Sequence, residues 1–140
     1  MKRRTALKFA TLLALSSVLS ATHINVATAG ENFVAYTPGL IKSSLAKGKT
    51  VFVDYSATWC ITCKAQERKI NELVKENPDY KTKMTFIRVD WDTFGDDPVT
   101  TDRNIPRRST LLVLKGDQEL GRIVADTSKS AIKALLDLGL

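Results

Sequence analysis

The sequence predicts an α/β fold in which a mixed central β-sheet is flanked by helices on both faces. Three observations predict it. Short apolar runs rich in β-branched residues alternate along the chain with amphipathic segments of helical period, the pattern of a layered sheet. Val51-Phe52-Val53 is continuously apolar, as in a strand covered on both sides. Late in the chain, Lys115-Gly116-Asp117-Gln118 joins two strand-like runs as a tight hairpin, so the sheet is mixed rather than purely parallel.

The elements follow in order. Glu31 to Tyr36 is a short first strand, broken by Thr37-Pro38-Gly39. Leu40, Ile41, Leu45 and Ala46 mark a helix through about Lys47, and Gly48 stops it. Lys49 to Tyr55 is the next strand. A helix opening at Cys60 runs to about Glu76, with Ile70, Leu73 and Val74 on its apolar face and Lys64, Gln66, Glu67, Arg68, Lys69, Glu72 and Lys75 on the other. Asn77-Pro78-Asp79 ends it, and Met84 to Asp90 is a strand. Trp91 to Arg108 is irregular, with a short helix near Val99–Arg103. Thr110 to Leu114 and Glu119 to Val124 form the hairpin. Ser128 or Ser130 caps a last helix whose inner face is Ile132, Leu135 and Leu136.

A chain of 140 residues has room for one domain and a short extension. The net charge of +6 is unevenly spread. Lys2, Arg3, Arg4 and Lys8 precede every acidic residue, and without residues 1–29 there remain 17 basic and 15 acidic side chains, a net +2. Such a near-neutral domain, lacking a Lys/Arg stripe, argues against a nucleic-acid partner. Residues 1–29 read as a cleaved export signal: a basic start, an apolar stretch from Ala6 to Ala21, and small residues at Ala27-Thr28-Ala29. Arg3-Arg4 fits a twin-arginine signal as well as a general secretory one. Residues 30–140 are then the mature domain, and His23, the single histidine, is lost with the signal.

The chain has two cysteines, Cys60 and Cys63, three positions apart. In an oxidising compartment a cysteine pair is by default a structural bridge. Here the closed loop is so small that a bridge stabilises little, which favours a redox pair. A thiol attacks only as thiolate. At the start of a helix Cys60 faces unpaired N–H groups and the positive end of the helix dipole, so it is the expected attacking sulfur. Cys63, one turn further in, is expected to be more buried and to resolve the mixed disulfide. Asp54 lies in an otherwise apolar strand. Burial raises a carboxyl pKa, which suits Asp54 to take the proton of Cys63; the alternative is an Asp bonding a turn N–H.

These residues resemble the thioredoxin superfamily. Val53-Asp54-Tyr55-Ser56-Ala57-Thr58-Trp59-Cys60-Ile61-Thr62-Cys63-Lys64 follows its pattern of strand, buried Asp and Trp-Cys-x-x-Cys-Lys, and Thr110 to Gly116 follows its second signature strand and turn. Tyr55 to Lys64 together with Val89-Asp90-Trp91-Asp92 is similar to the C-terminal thioredoxin-like domain of the bacterial inner-membrane electron transporter DsbD and related stand-alone periplasmic proteins. The resemblance implies the thioredoxin fold and a reducing thiol–disulfide oxidoreductase in the periplasm. Its partners would be client proteins with disulfides and a membrane electron donor of the DsbD type. No cofactor is expected beyond the Cys60–Cys63 disulfide, and the protein is expected to act as a monomer.

The family places a cis-proline just before the Thr-Leu-Leu strand, facing the cysteines. Counting back from Thr110 without a gap puts Ser109 there. With a three-residue insertion it would be Pro106. The uninterrupted match from Thr110 favours Ser109, with a trans peptide bond. The same register brings Arg107 and Arg108 toward Cys60, where Arg108 would favour the thiolate; otherwise both are solvated loop residues opposing Asp96, Asp97 and Asp102. Trp59, Ile61 and Thr62, with Pro106, Arg108 and Ser109, are the candidate substrate-binding residues. Trp59 is expected to shield the thiol, and Trp91 to be a packing residue. Competing readings are a disulfide oxidase or isomerase, a Cu(I)-binding module using the two thiolates, and a redox-inert binding domain.

Overall fold

The computed structural model describes residues 32–140. The expected export signal and its cleavage point lie outside these residues. The order of elements is β1 (Val34–Ala35), α1 (Leu40–Ala46), β2 (Thr50–Ser56), α2 (Ile61–Glu76), α3 (Asp79–Lys83), β3 (Met84–Asp90), α4 (Trp91–Phe94), α5 (Pro98–Thr101), β4 (Thr110–Lys115), β5 (Gln118–Val124) and α6 (Lys129–Asp137). The sheet order is β1-β3-β2-β4-β5. Strands β1, β3 and β2 run parallel, whereas β4 is antiparallel to both β2 and β5. The expected mixed sheet is therefore present, with the hairpin supplying its antiparallel half.

Strand β2 sits at the centre, and all seven of its residues are buried. Alternation along the strand separates two cores. Phe52 points into a core with Phe86, Ile70 and Leu73 of α2 and Ile132 and Leu136 of α6. Val51, Val53 and Tyr55 point into the opposite core, with Ile41 of α1 and Val99 of α5. Asp54 shares the Phe52 side, beneath α2.

Local chemistry explains most element ends. Gly39 and Gly48 bracket α1 at φ +84° and +74°, left-handed conformations that a residue without Cβ adopts at no steric cost. Ser128, rather than Ser130, caps α6, its Oγ accepting the Ala131 N–H. Asp90 and Asp97 cap α4 and α5 in the same way. Three elements depart from expectation. The first strand shrinks to two residues because it pairs on one side only, at the edge beside β3. Helix α3 forms where only a break was expected: Pro78 occupies its N-cap, and Tyr80 is buried in the core beside Met84. The segment after Trp91 is more ordered than expected, because the Asp caps nucleate two single-turn helices.

Phe52 is fully buried, and its ring lies 4.9 Å from that of Phe86 and 6.3 Å from that of Phe33. Phe52→Ala is expected to lower unfolding stability by about 3–5 kcal/mol, the cost of a large cavity in a close-packed core. Chemical denaturation checks this, and a loss below about 1 kcal/mol would show that the core collapses around the gap.

Candidate active site

The site is built where β2 ends and α2 begins. Cys60 is the N-cap of α2, in extended conformation, and its Sγ accepts the Cys63 N–H at 3.2 Å. The cysteine thus takes the place a Ser or Asp side chain fills at an ordinary helix start, so its sulfur satisfies a backbone donor that would otherwise be orphaned. Cys60 and Cys63 are joined by a disulfide with their Cα atoms 5.3 Å apart. Both are almost fully buried, at 3 % and 2 % exposure. The expected contrast in burial between them is therefore absent. Trp91 packs against the Ala57–Cys60–Cys63 cluster, and Ser109 lies against both sulfurs, so the pair is covered together.

Ser109, not Pro106, faces the cysteines. Its Oγ is 3.2 Å from Cys60 Sγ and 3.1 Å from Cys63 Sγ. A disulfide carries no proton, so the hydroxyl is the donor, with one hydrogen for two sulfurs. Ser109 is fully buried and adopts φ +63°, in the left-handed region. Its N–H donates to Tyr55 O at 2.8 Å, and its carbonyl accepts from the Ala125 N–H at 2.8 Å and from Gln66 Nε2 at 3.1 Å. Pro106 is exposed, three residues up the loop, and no cis peptide bond occurs among the described residues.

Trp59 is half exposed, and its indole N–H donates to the Asp92 carboxylate at 2.9 Å. The Arg108 guanidinium stacks 4.3 Å from the centroid of the Trp59 ring. Arg108 therefore meets the indole, and no hydrogen bond joins it to either sulfur among the described residues. Arg107 is exposed and donates to the Arg108 carbonyl at 3.3 Å. Ile61 is 82 % exposed and Thr62 half-buried, both at the open side of the first turn of α2.

Asp54 lies beneath the helix start, 1 % exposed. In the parallel register it stands beside Arg88 of β3. Arg88 Nε donates to Asp54 Oδ2 at 2.9 Å, while Arg88 Nη1 donates to Glu67 Oε1 of α2 at 3.0 Å. The guanidinium also lies 4.2 Å from the centroid of the Phe33 ring. Burial pushes the Asp54 carboxyl up to about 6, outweighing the charge and hydrogen bond of Arg88. Asp54 makes no hydrogen bond to either sulfur among the described residues, and its Oδ1 is without a partner. A cavity of about 230 Å³ lined by Ser56, Lys64, Glu67, Arg88 and Asp90 gives solvent a way toward this charged cluster.

Four contributing residues were not legible as such. Gln66 and Glu67 read as part of the solvated face of α2, but Gln66 is buried and bonds Ser109 O and Asp126 O, and Glu67 is half-buried against Arg88. Arg88 read as an ordinary strand residue. Its signal was a lone cation inside an apolar strand, opposite a lone anion in the neighbouring one. Trp91 read as packing in a loop, and its packing turns out to be on the cysteines.

A family model for thioredoxin matches residues 32–138. The chain belongs to the thioredoxin family. Thioredoxin C-2 of Corynebacterium nephridii is 32 % identical over 120 residues, covering 85 % of this chain and 97 % of that protein. Thioredoxin-1 of Saccharomyces cerevisiae is 32 % identical over 91 residues, 65 % of this chain and 82 % of that one. Among solved structures, Trxlp from Edwardsiella tarda aligns with a TM-score of 0.62 at 28 % identity, covering 72 % of this chain and 95 % of that one. The protein is a thioredoxin-like thiol–disulfide oxidoreductase carrying the Cys60–Cys63 disulfide.

The raised Asp54 carboxyl makes stability pH-dependent with a definite sign. Between its ordinary value of 3.8 and its folded value of about 6, the folded state holds a proton that the unfolded chain releases. Stability from this group is full below pH 4 and falls as pH rises to 6, by roughly 3 kcal/mol in total. Denaturation of wild type and Asp54→Asn at pH 4, 5, 6 and 7 is expected to show this slope in wild type and its loss in the variant. Equal slopes in both would assign the dependence to other groups.

Proposed function

We propose that this oxidoreductase works as a disulfide reductase in the periplasm, reducing client disulfides by dithiol–disulfide exchange. The observation that carries the exchange is the position of Cys60 at the cap of α2, with a backbone N–H aimed at its sulfur. That donor and the dipole favour the thiolate of Cys60 over that of Cys63, whose sulfur receives no backbone N–H among the described residues. The Cys60 thiolate attacks one sulfur of the client disulfide, and the other leaves as a thiolate. Cys63 then loses its proton and attacks Cys60, closing the disulfide and releasing the second client sulfur. Two electrons pass to the client, and the pair ends oxidised.

The reducing direction, the compartment and the donor rest on further sequence features. Ile61-Thr62 between the cysteines includes no histidine to stabilise the thiolate further, which favours a reductant. Residues 1–29 have the make-up of an export signal. The similarity to the C-terminal domain of DsbD supports a membrane electron donor of that type. Both segments that carry the similarity lie at the site: Trp59 bonds Asp92, and Trp91 packs on the cysteines. Asp54, with its raised carboxyl, is the base proposed to receive the Cys63 proton through solvent. Ile61 and Trp59 offer the exposed apolar surface on which a client segment would lie.

Insulin reduction with dithiothreitol, together with the reduction potential measured against glutathione, tests the reading. The reductase requires activity and a strongly negative potential, and a value near that of a periplasmic oxidant would reverse the direction. Cys60→Ser is expected to abolish activity. Cys63→Ser is expected to accumulate a mixed disulfide between Cys60 and a client when expressed in a bacterial periplasm. A folded, exported Cys63→Ser protein with no adduct would remove the enzymatic reading.

A further inference from the structure

We propose that Ser109 is a catalytic residue: its hydroxyl divides one proton between the two sulfurs, holding Cys60 as thiolate while Cys63 stays protonated. The inference rests on the reading of Cys60 as the attacking sulfur. It goes beyond substrate contact, the role the sequence assigns to this position.

The geometry is specific. Ser109 Oγ lies within 3.2 Å of both sulfurs, and they are its only hydrogen-bond partners among the described residues. The residue is fully buried, so water does not compete for the hydroxyl. The backbone is tied at both polar groups: the N–H to Tyr55 O, the carbonyl to Ala125 N–H and Gln66 Nε2. A left-handed φ of +63° is disfavoured for a residue with a Cβ, and these bonds hold it there. The hydroxyl therefore has a fixed origin and two sulfurs to choose between.

Reduction of the disulfide adds two electrons and two protons to the pair. When the first proton is lost, a complete chain exists: Cys63 S–H donates to Ser109 Oγ, and Ser109 O–H donates to the Cys60 thiolate. Each hydrogen in it has an acceptor. The reverse arrangement, with Cys63 ionised, would be equivalent but for the Cys63 N–H, which points at Cys60 Sγ at 3.2 Å and breaks the tie in favour of Cys60. A hydrogen bond to an ion is about twice as strong as one to a neutral acceptor, so the hydroxyl stabilises the reduced, ionised state more than the disulfide. It lowers the first macroscopic pKa of the pair and raises the second, because Cys63 must give up its acceptor's support to ionise.

Two variants separate the hydroxyl from the backbone. Ser109→Ala removes the hydroxyl and keeps the strained φ, whereas Ser109→Gly removes both the hydroxyl and the strain. Thiolate absorbance titration of the reduced proteins, and equilibration with glutathione at pH 8, are the measurements. Both variants are expected to raise the first pKa by about one unit and to narrow the gap to the second. Both are expected to shift the equilibrium toward the disulfide by up to tenfold, a potential about 30 mV more negative. Unchanged titration and potential in both, or a change in only one, would overturn the role of the hydroxyl. Wild-type insulin reduction is measured alongside: its absence would defeat the oxidoreductase reading itself, while a normal wild type with unaltered variants would defeat Ser109 alone.

Discussion

Everything at this site depends on the complete burial of β2. A strand with no exposed residue must be hydrogen-bonded on both edges and covered on both faces, and the chain meets each demand with a different element. Strand β3 pairs on one side and β4 on the other. Helices α2 and α6 cover one face, and α1 and α5 the other. The end of β2 is then a fixed platform. Tyr55 O accepts the Ser109 N–H just beyond the last paired residues of β4, and Cys60 follows as the cap of α2. Segments 46 to 49 positions apart thus meet with their sulfurs and hydroxyl in contact.

The same burial explains the charged cluster. A carboxylate on a fully covered strand is stripped of most of its hydration, and removing one partner of such a buried ion pair generally costs several kcal/mol. Parallel pairing sets Arg88 beside Asp54, and α2 supplies Glu67 on the far side of the guanidinium. Arg88 is thereby shared between two acids. Its attraction is insufficient to offset the desolvation of Asp54, whose carboxyl stays high. The cation keeps the acid in place without fully ionising it, the condition a proton acceptor near neutral pH needs.

Much of this was legible in the chain. Strand β2 declared itself by its uninterrupted apolar run, β3 by its β-branched and aromatic residues, and α2 and α6 because their inner faces keep a helical period. The redox pair was legible from its spacing, and the place of Ser109 from the resemblance to the thioredoxin superfamily, counted back without a gap from Thr110. What could not be read was the fate of polar residues on helices. Gln66 and Glu67 look solvated in one dimension. Only the packing of α2 against the Ser109 loop and β3 shows that their partners lie 43 and 21 positions away. Arg88 was hidden for the same reason, since pairing register, not composition, sets it against Asp54. Helix α3 was missed because Asn77 closes α2 and Pro78 opens α3, so two helices abut where the sequence shows only a break.

The left-handed backbone at Ser109 also bears on how this site can change over generations. A proline ring fixes φ near −65°, on the other side of the map from +63°. A single codon change from serine to proline would therefore meet a loop shaped against it, with the Ser109 N–H bond to Tyr55 lost besides. Residues with branched Cβ atoms fit the same conformation poorly. The position is left with a short list of small or polar residues to sample, and a change to proline requires the flanking backbone to be rebuilt first. The residue and the shape of its loop are therefore one constraint, and neither can change alone.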